Sequence, residues 1–159
     1  MNEKNPFTPP ESKLRDPQDK PPGSQVKAVL VGVVVDIGGT VLSTFVIAVL
    51  LGIFMTLGGA DISAIERYVT ESSFFSPYHL ACTVAGLAFS AISAYICARI
   101  ARQNEYGLAI IMTIVSTLLA LSLGGGRAYS TGLFFLLTLL SLCAAIYGAR
   151  LGREKNLEA

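Results

Sequence analysis

The stretch 28–57, AVLVGVVVDIGGTVLSTFVIAVLLGIFMTL, carries one charged side chain, Asp36, and decides the fold. As a helix it would be about 45 Å long, against a hydrocarbon core of about 30 Å. Three further windows, 77–98, 106–126 and 128–149, hold no Asp, Glu, Lys or Arg at all. Each is long enough to cross a bilayer. The 159 residues are 52% hydrophobic and 14% charged, and the charges are confined to the ends and connections. A soluble globular domain, a disordered protein and a disulfide scaffold are thereby excluded. The sequence predicts an all-α membrane protein with four transmembrane helices in a domain spanning 26–153. Tails at 1–25 and 154–159 flank it.

Outside the spans the chain changes character. Six of the 7 prolines lie in residues 1–25, among basic and acidic side chains in equal number. With no apolar periodicity, this segment cannot bury enough surface to offset its ordering entropy. It reads as an extended cytoplasmic tail and not as a signal peptide, because the apolar run starts only at Val26 and is too long. Span 1, Val26 to Leu57, exceeds the bilayer, so it either kinks at Gly38-Gly39 or protrudes on one side. Ser63 and Glu66 form a capping-box pattern. Ile62, Ile65 and Val69 then recur at helical spacing, which predicts a short interfacial helix over about 63–72. Ser76-Pro77 starts span 2, with proline at the first helical position. Span 3 starts near Tyr106 and breaks at Gly124-Gly125-Gly126; Tyr129 and Ser130 open span 4.

Lysine and arginine counts set the orientation. Placing the N-terminus inside leaves only Arg67 and Arg127 of the 12 basic residues in outer segments. Of the others, Lys27, Arg99, Arg102, Arg150, Arg153 and Lys155 sit close to the membrane. Both termini are therefore expected in the cytoplasm.

Two span ends match. Cys97-Ala98-Arg99-Ile100-Ala101-Arg102 and Gly148-Ala149-Arg150-Leu151-Gly152-Arg153 share small-Ala-Arg-aliphatic-small-Arg at an offset of 51. Ser43-Thr44 and Ser116-Thr117 give a weaker echo. Two tandem hairpins in parallel orientation are one reading. Convergence is the other, since helices ending at the cytoplasm tend to finish with small residues and arginine. Small residues also form stripes: Cys82, Gly86, Ser90, Ala94 and Ala98, then Ala144, Gly148 and Gly152. Such stripes let backbones approach closely, within one bundle or between copies in a homo-oligomer.

The run Ala94-Tyr95-Ile96-Cys97-Ala98-Arg99-Ile100-Ala101-Arg102, followed by span 3, resembles a group of small bacterial four-span membrane proteins. These carry Gly-Gly-Tyr-x-x-Ala-Arg-x-Ala-Arg there; this chain has Ser93-Ala94 in place of the glycines. The resemblance covers spans 2 to 4. It implies a prokaryotic cytoplasmic, or inner, membrane and brings no activity with it.

Candidate chemistry is sparse. No HExxH, P-loop or GxSxG pattern occurs, and Cys82, Cys97 and Cys143 are too scattered for a metal or redox pair. Neither enzymatic activity nor a cofactor or metal is expected. The net charge of +1 gives no pull on nucleic acid. His79 stands alone at the outer start of span 2. Ser90, Ser93, Thr113, Ser116, Thr117 and Ser141 either line a polar path or bond to their own helix carbonyls. Asp36 is the only ionisable residue well within a span and is the default functional candidate. If the membrane segment is 28–48, Asp36 is deep. If it is 37–57, Asp36 lies at the inner boundary, level with Arg99 and Arg150. The firm stop after Leu57 favours the second register, and so a structural charge cluster of Asp36, Arg99 and Arg150.

The leading expectation is thus a non-enzymatic membrane protein that touches the lipid bilayer and acts through a membrane-protein partner or as a homo-oligomer. The alternatives are a small proton-coupled transporter or pore subunit using Asp36, and an immunity or accessory protein for a membrane-acting system. The orientation is testable on its own. In a background free of native cysteines, Ser63→Cys should be labelled by an impermeant thiol reagent added to intact cells. Labelling that appears only after the inner face is opened reverses the topology.

Overall fold

The computed structural model describes residues 23–123 and 130–158. They form five helices: α1 (Gln25–Leu57), α2 (Ile62–Glu71), α3 (Pro77–Ala101), α4 (Glu105–Ser122) and α5 (Thr131–Leu157). α1, α3, α4 and α5 are each long and apolar enough to cross a membrane. Most of the proline-rich tail and the Gly124–Gly126 break lie outside the described residues.

Helix starts follow from capping hydroxyls and carboxylates. Ser24, Ser76 and Ser130 accept from Lys27, His79 and Leu133 amides at the heads of α1, α3 and α5, and Pro77 opens α3 as expected. α2 corrects one expectation. Its cap is Asp61, whose Oδ1 accepts from the Ala64 amide at 2.8 Å, while the Ser63 hydroxyl donates to the same carboxylate at 3.0 Å. A carboxylate outcompetes a hydroxyl because it also meets the positive end of the helix dipole. Those two donors, the Ala64 amide first, hold the Asp61 carboxyl below its ordinary 3.8.

α1 does not break at Gly38-Gly39. Gly39 faces the ring of Phe89, where a Cβ would lie 2.1 Å from Cδ1, so this glycine serves close approach. The excess length becomes an overhang. The Gly23 amide donates to the Ala101 carbonyl at 3.0 Å, tying the start of α1 to the end of α3. Asp36 meets Ser90 further up. From there α1 rises about 31 Å to Leu57, whereas α3 has only about 20 Å left to Pro77. About two turns of α1, ending in exposed Phe54 and Leu57, therefore stand beyond the bundle.

α3 is the central helix and packs most extensively against α5 and α1, while α4 closes the group against α5 and α1. α1 and α5 contact each other less than α3 and α4 do. A pseudo-twofold along the membrane normal would make those two pairs equivalent. The bundle departs from that exact symmetry, and the matching helix ends share a local job. Arg99 Nη1 donates to the Lys155 carbonyl at 2.9 Å and to Asn156 Oδ1 at 3.3 Å, and Asn156 Nδ2 donates to the Ala98 carbonyl at 2.9 Å. These bonds satisfy terminal carbonyls of both helices. They, with Arg150–Glu154 at 3.0 Å, carry α5 on to Leu157. The C-terminal tail expected from residue 154 is thus the last turn of a helix.

Core density differs between the two halves. Ala28, Ala94, Cys97, Ala98, Ala101, Ala109, Met112, Ala145 and Ala149 are all fully buried, and all lie toward the end of the bundle that carries the arginines. Small side chains there let the helices nearly touch. A Cβ on Gly148 would lie 2.0 Å from the Ala91 carbonyl oxygen, and one on Gly152 would lie 2.7 Å from Ala98 Cβ. A Cβ on Gly86 meets only Thr40 Cγ2 at 3.7 Å, an ordinary contact. The stripe on α3 thus packs through Ala94 and Ala98 and stops packing at Gly86 and Cys82, both half-buried. Ala144 is half-buried as well. Gly148→Ala should destabilise the bundle by about 1–3 kcal/mol, since rigid backbone must move. Gly86→Ala should be near neutral. Thermal unfolding in detergent measures both, and equal melting temperatures for the two variants would discredit this division.

Candidate functional site

Where the α3 stripe stops packing, the helices part around a cavity of about 560 Å³. Asp36, Thr40 and Thr44 reach it from one face of α1, each a helical turn apart. α3 contributes His79, Cys82, Gly86 and Ser90; α4 contributes Thr113, Ser116 and Thr117; α5 contributes Leu137 and Ser141. Val69 of α2 and Tyr78 stand at the mouth, with the Tyr78 and His79 rings 5.1 Å apart. The cavity exists because small residues at 82, 86 and 90 leave room, while the bulkier neighbours Leu87 and Leu137 wall it.

Asp36 lies toward the arginine end of this space and is 8% exposed. The Ser90 hydroxyl donates to its Oδ1 at 2.9 Å, and Ser90 and Ser141 hydroxyls are 2.9 Å apart. A hydroxyl has one proton, so with Ser90 donating to Asp36, Ser141 must donate to Ser90. The result is a directed chain, Ser141 to Ser90 to Asp36, in which each bond polarises the next. Ser90 is about 20 Å from Pro77 and about 17 Å from Ala101 along α3. Asp36 therefore sits near mid-depth.

That depth overturns the expected charge cluster. Arg99 and Arg150 do not meet Asp36. Arg99 follows Ser90 by about 13 Å of helix and is engaged by Lys155 and Asn156. Arg150 pairs with Glu154. Leu57 ends a stretch of α1 that runs past the start of α3, so the stop there does not by itself place Asp36 level with the arginines. Among the lining residues Asp36 is the only carboxylate and there is no Lys or Arg, and Ser90 is its only hydrogen-bond partner among the described residues.

The hydroxyls expected either to line a path or to bond their own helices divide between the two. Ser93 donates to the Ser90 carbonyl at 3.0 Å and stays in the packed half. Thr113 lines the cavity yet donates to the Ala109 carbonyl at 2.9 Å. Ser116 is 7% exposed, and its Oγ has no partner among the described residues. By helix rise it lies about 17 Å along α4, the same distance from the arginine end as Ser90. Sequence reasoning did not single out Thr40 or the cavity side of His79, and took Thr44 only as part of a repeat echo. The spacing of Asp36, Thr40 and Thr44 carried that signal. Of the cysteines, Cys82 lines the cavity, Cys97 is buried and Cys143 is exposed. No group of three His, Cys, Asp or Glu that could hold a metal occurs among the described residues.

No protein-family model, curated protein or solved structure matches this chain.

Asp36 and Arg99 should behave as independent sites. Asp36→Asn keeps an acceptor for Ser90 and should leave stability close to wild type. Arg99→Gln should cost about 0.5–1.5 kcal/mol by releasing the end of α5. A double-mutant cycle read by thermal unfolding should give a coupling below about 0.5 kcal/mol. A coupling well above that, or rescue of Asp36→Arg by Arg99→Asp, would restore the ion pair.

Proposed function

We propose that this chain is a small, non-enzymatic membrane carrier that takes a solute into the cavity and uses Asp36 as a proton-linked exchange group. One observation carries the reading: a buried carboxylate without a cationic side chain lies on the wall of a cavity at mid-depth. An ionised carboxylate surrounded by hydrocarbon is costly. Its charge must be balanced, and what reaches it through the cavity is a proton or a positively charged solute. Either can displace the other, and such competition couples solute movement to proton movement. The volume, about 560 Å³, lies within the range of small-molecule sites.

Orientation follows from charge. With the arginine end in the cytoplasm, the cavity opens outward and the dense alanine-rich half closes it from the inside. The motif resemblance at 94–102 supports a bacterial inner membrane as the setting. Action through a membrane-protein partner, as a homo-oligomer, or as an immunity protein is the competing class of role, and transport assays separate it.

The test is proton exchange in liposomes holding the purified full chain and a trapped pH dye. Solutes are added outside in three classes, cationic, neutral and anionic, after a pH gradient is imposed. Wild type should collapse the gradient with at least one class, and Asp36→Asn should slow that collapse at least tenfold while keeping its melting temperature. Collapse by no class in wild type, or equal rates for Asp36→Asn, removes the transport reading.

A further inference from the structure

We infer that the cavity binds an amphiphilic organic monocation, an amine with an apolar body, whose ammonium is held between Asp36 and Ser116. The inference rests on the transport reading only for the cavity's use; the binding chemistry stands by itself.

Three features select this ligand class. The first is charge. Asp36 is the only carboxylate of the lining, which holds no Lys or Arg, so one positive charge is neutralised and a second is not. The other titratable lining groups, Tyr78, His79 and Cys82, all come from α3 and lie toward the mouth; α1 beyond Asp36, α2, α4 and α5 contribute none. An anion would meet a carboxylate and no Lys or Arg.

The second feature is unmet hydrogen bonding. Ser90 occupies Oδ1 of Asp36, and no donor among the described residues meets the other oxygen. Ser116 Oγ is buried in the cavity wall with no partner among the described residues. Buried polar atoms are seldom left so, because each costs about 1–3 kcal/mol unpaired. An ammonium brings three donors and no acceptor. It can give one to Asp36 Oδ2 and one to Ser116 Oγ, whose helix-rise levels agree. The third can go to a neighbouring threonine or serine oxygen, which keeps a free lone pair even when its own proton is used.

The third feature is shape. An inorganic monovalent ion would leave most of the 560 Å³ unfilled. The space away from Asp36 is walled by Ile37, Val41, Leu87, Ala120 and Leu137, which suit a hydrocarbon or aromatic body. For a protonated Asp36, entry of the amine releases the proton to the solution on the cavity side, so one cation exchanges for one proton and charge balances.

The chain has no tryptophan, so an indole ligand can be followed by its own fluorescence. The probe is tryptamine, titrated against the purified full chain in detergent, with indole-3-propionate as the anionic comparator and 3-ethylindole as the neutral one. Tryptamine should bind saturably and at least tenfold more tightly than either comparator. Asp36→Asn should weaken it at least tenfold, Ser116→Ala severalfold, and Arg99→Gln not at all. Asp36→Glu should retain binding, which decides the matter if Asp36→Asn unfolds. Comparators that bind as tightly, or binding that ignores Asp36, overturn the inference. Unchanged binding by Ser116→Ala overturns the placement of the ammonium. Asp36-dependent tryptamine binding with no proton exchange in liposomes supports this ligand class and sinks transport. Asp36-dependent exchange driven only by neutral or anionic solutes does the reverse.

Discussion

Ser90 donates a hydrogen bond to Asp36 at the level where α1, α3 and α5 come together, and this contact fixes the depth of everything around it. The Gly23 amide on the Ala101 carbonyl provides a second fixed point along the same pair of helices. Between these points α1 and α3 advance by matching lengths, so the register of α1 is not free to slide. Moving α1 by one turn toward the arginine end would take Asp36 away from its only hydroxyl donor and push Gly39 off the Phe89 ring. Burial of a carboxylate is unfavourable in itself. Here it is tolerated because a directed hydroxyl chain and an open cavity meet it from two sides.

The same fixed depth divides the bundle. Toward the arginines, alanines and glycines bring backbones into near contact, and Met112 seats its sulfur where a Cβ on Gly32 would lie 2.6 Å away. Toward α2, residues of similar size on α3 face space. A small side chain allows close approach only if the neighbouring helix comes to fill the gap. α5 does so at Gly148 and Gly152; at Gly86, α1 approaches only as far as ordinary contact. One stripe therefore does two opposite things, packing at one end and making a cavity at the other.

Much of this was legible in the sequence. Four long windows with a single charge among them, Asp36, meant four spans, and Ser76-Pro77 marked the start of α3 to the residue. Asp36 was readable as the residue to watch. Its level along the bundle was not, because it was inferred from the stop after Leu57, and nothing in the sequence distinguishes the end of a span from the tip of an overhang. The pairing of Asp36 with arginines failed for the same reason. The Arg99 and Arg150 motifs looked like halves of a repeat, yet each serves a helix end: Arg99 reaches the last carbonyls of α5, and Arg150 supports its final turns through Glu154. Which small residues pack and which leave space depends on where neighbouring helices run, and that is tertiary information.

The overhang also explains where α2 goes. α1 ends about two turns beyond α3, so the connection to Pro77 must come back toward the bundle. Gly58 and Gly59, the latter at φ 84, turn the chain at once, and Asp61 starts a new helix before the descent is finished. α2 packs on α1 among the four long helices, and the Ser72 and Ser76 hydroxyls, 3.2 Å apart, join its end to the head of α3. This path brings Val69 to the cavity mouth beside Tyr78 and His79. A span 1 trimmed to bilayer length would have let the connection run straight to Pro77. The surplus of α1 is therefore what sets an amphipathic helix at the mouth of the cavity.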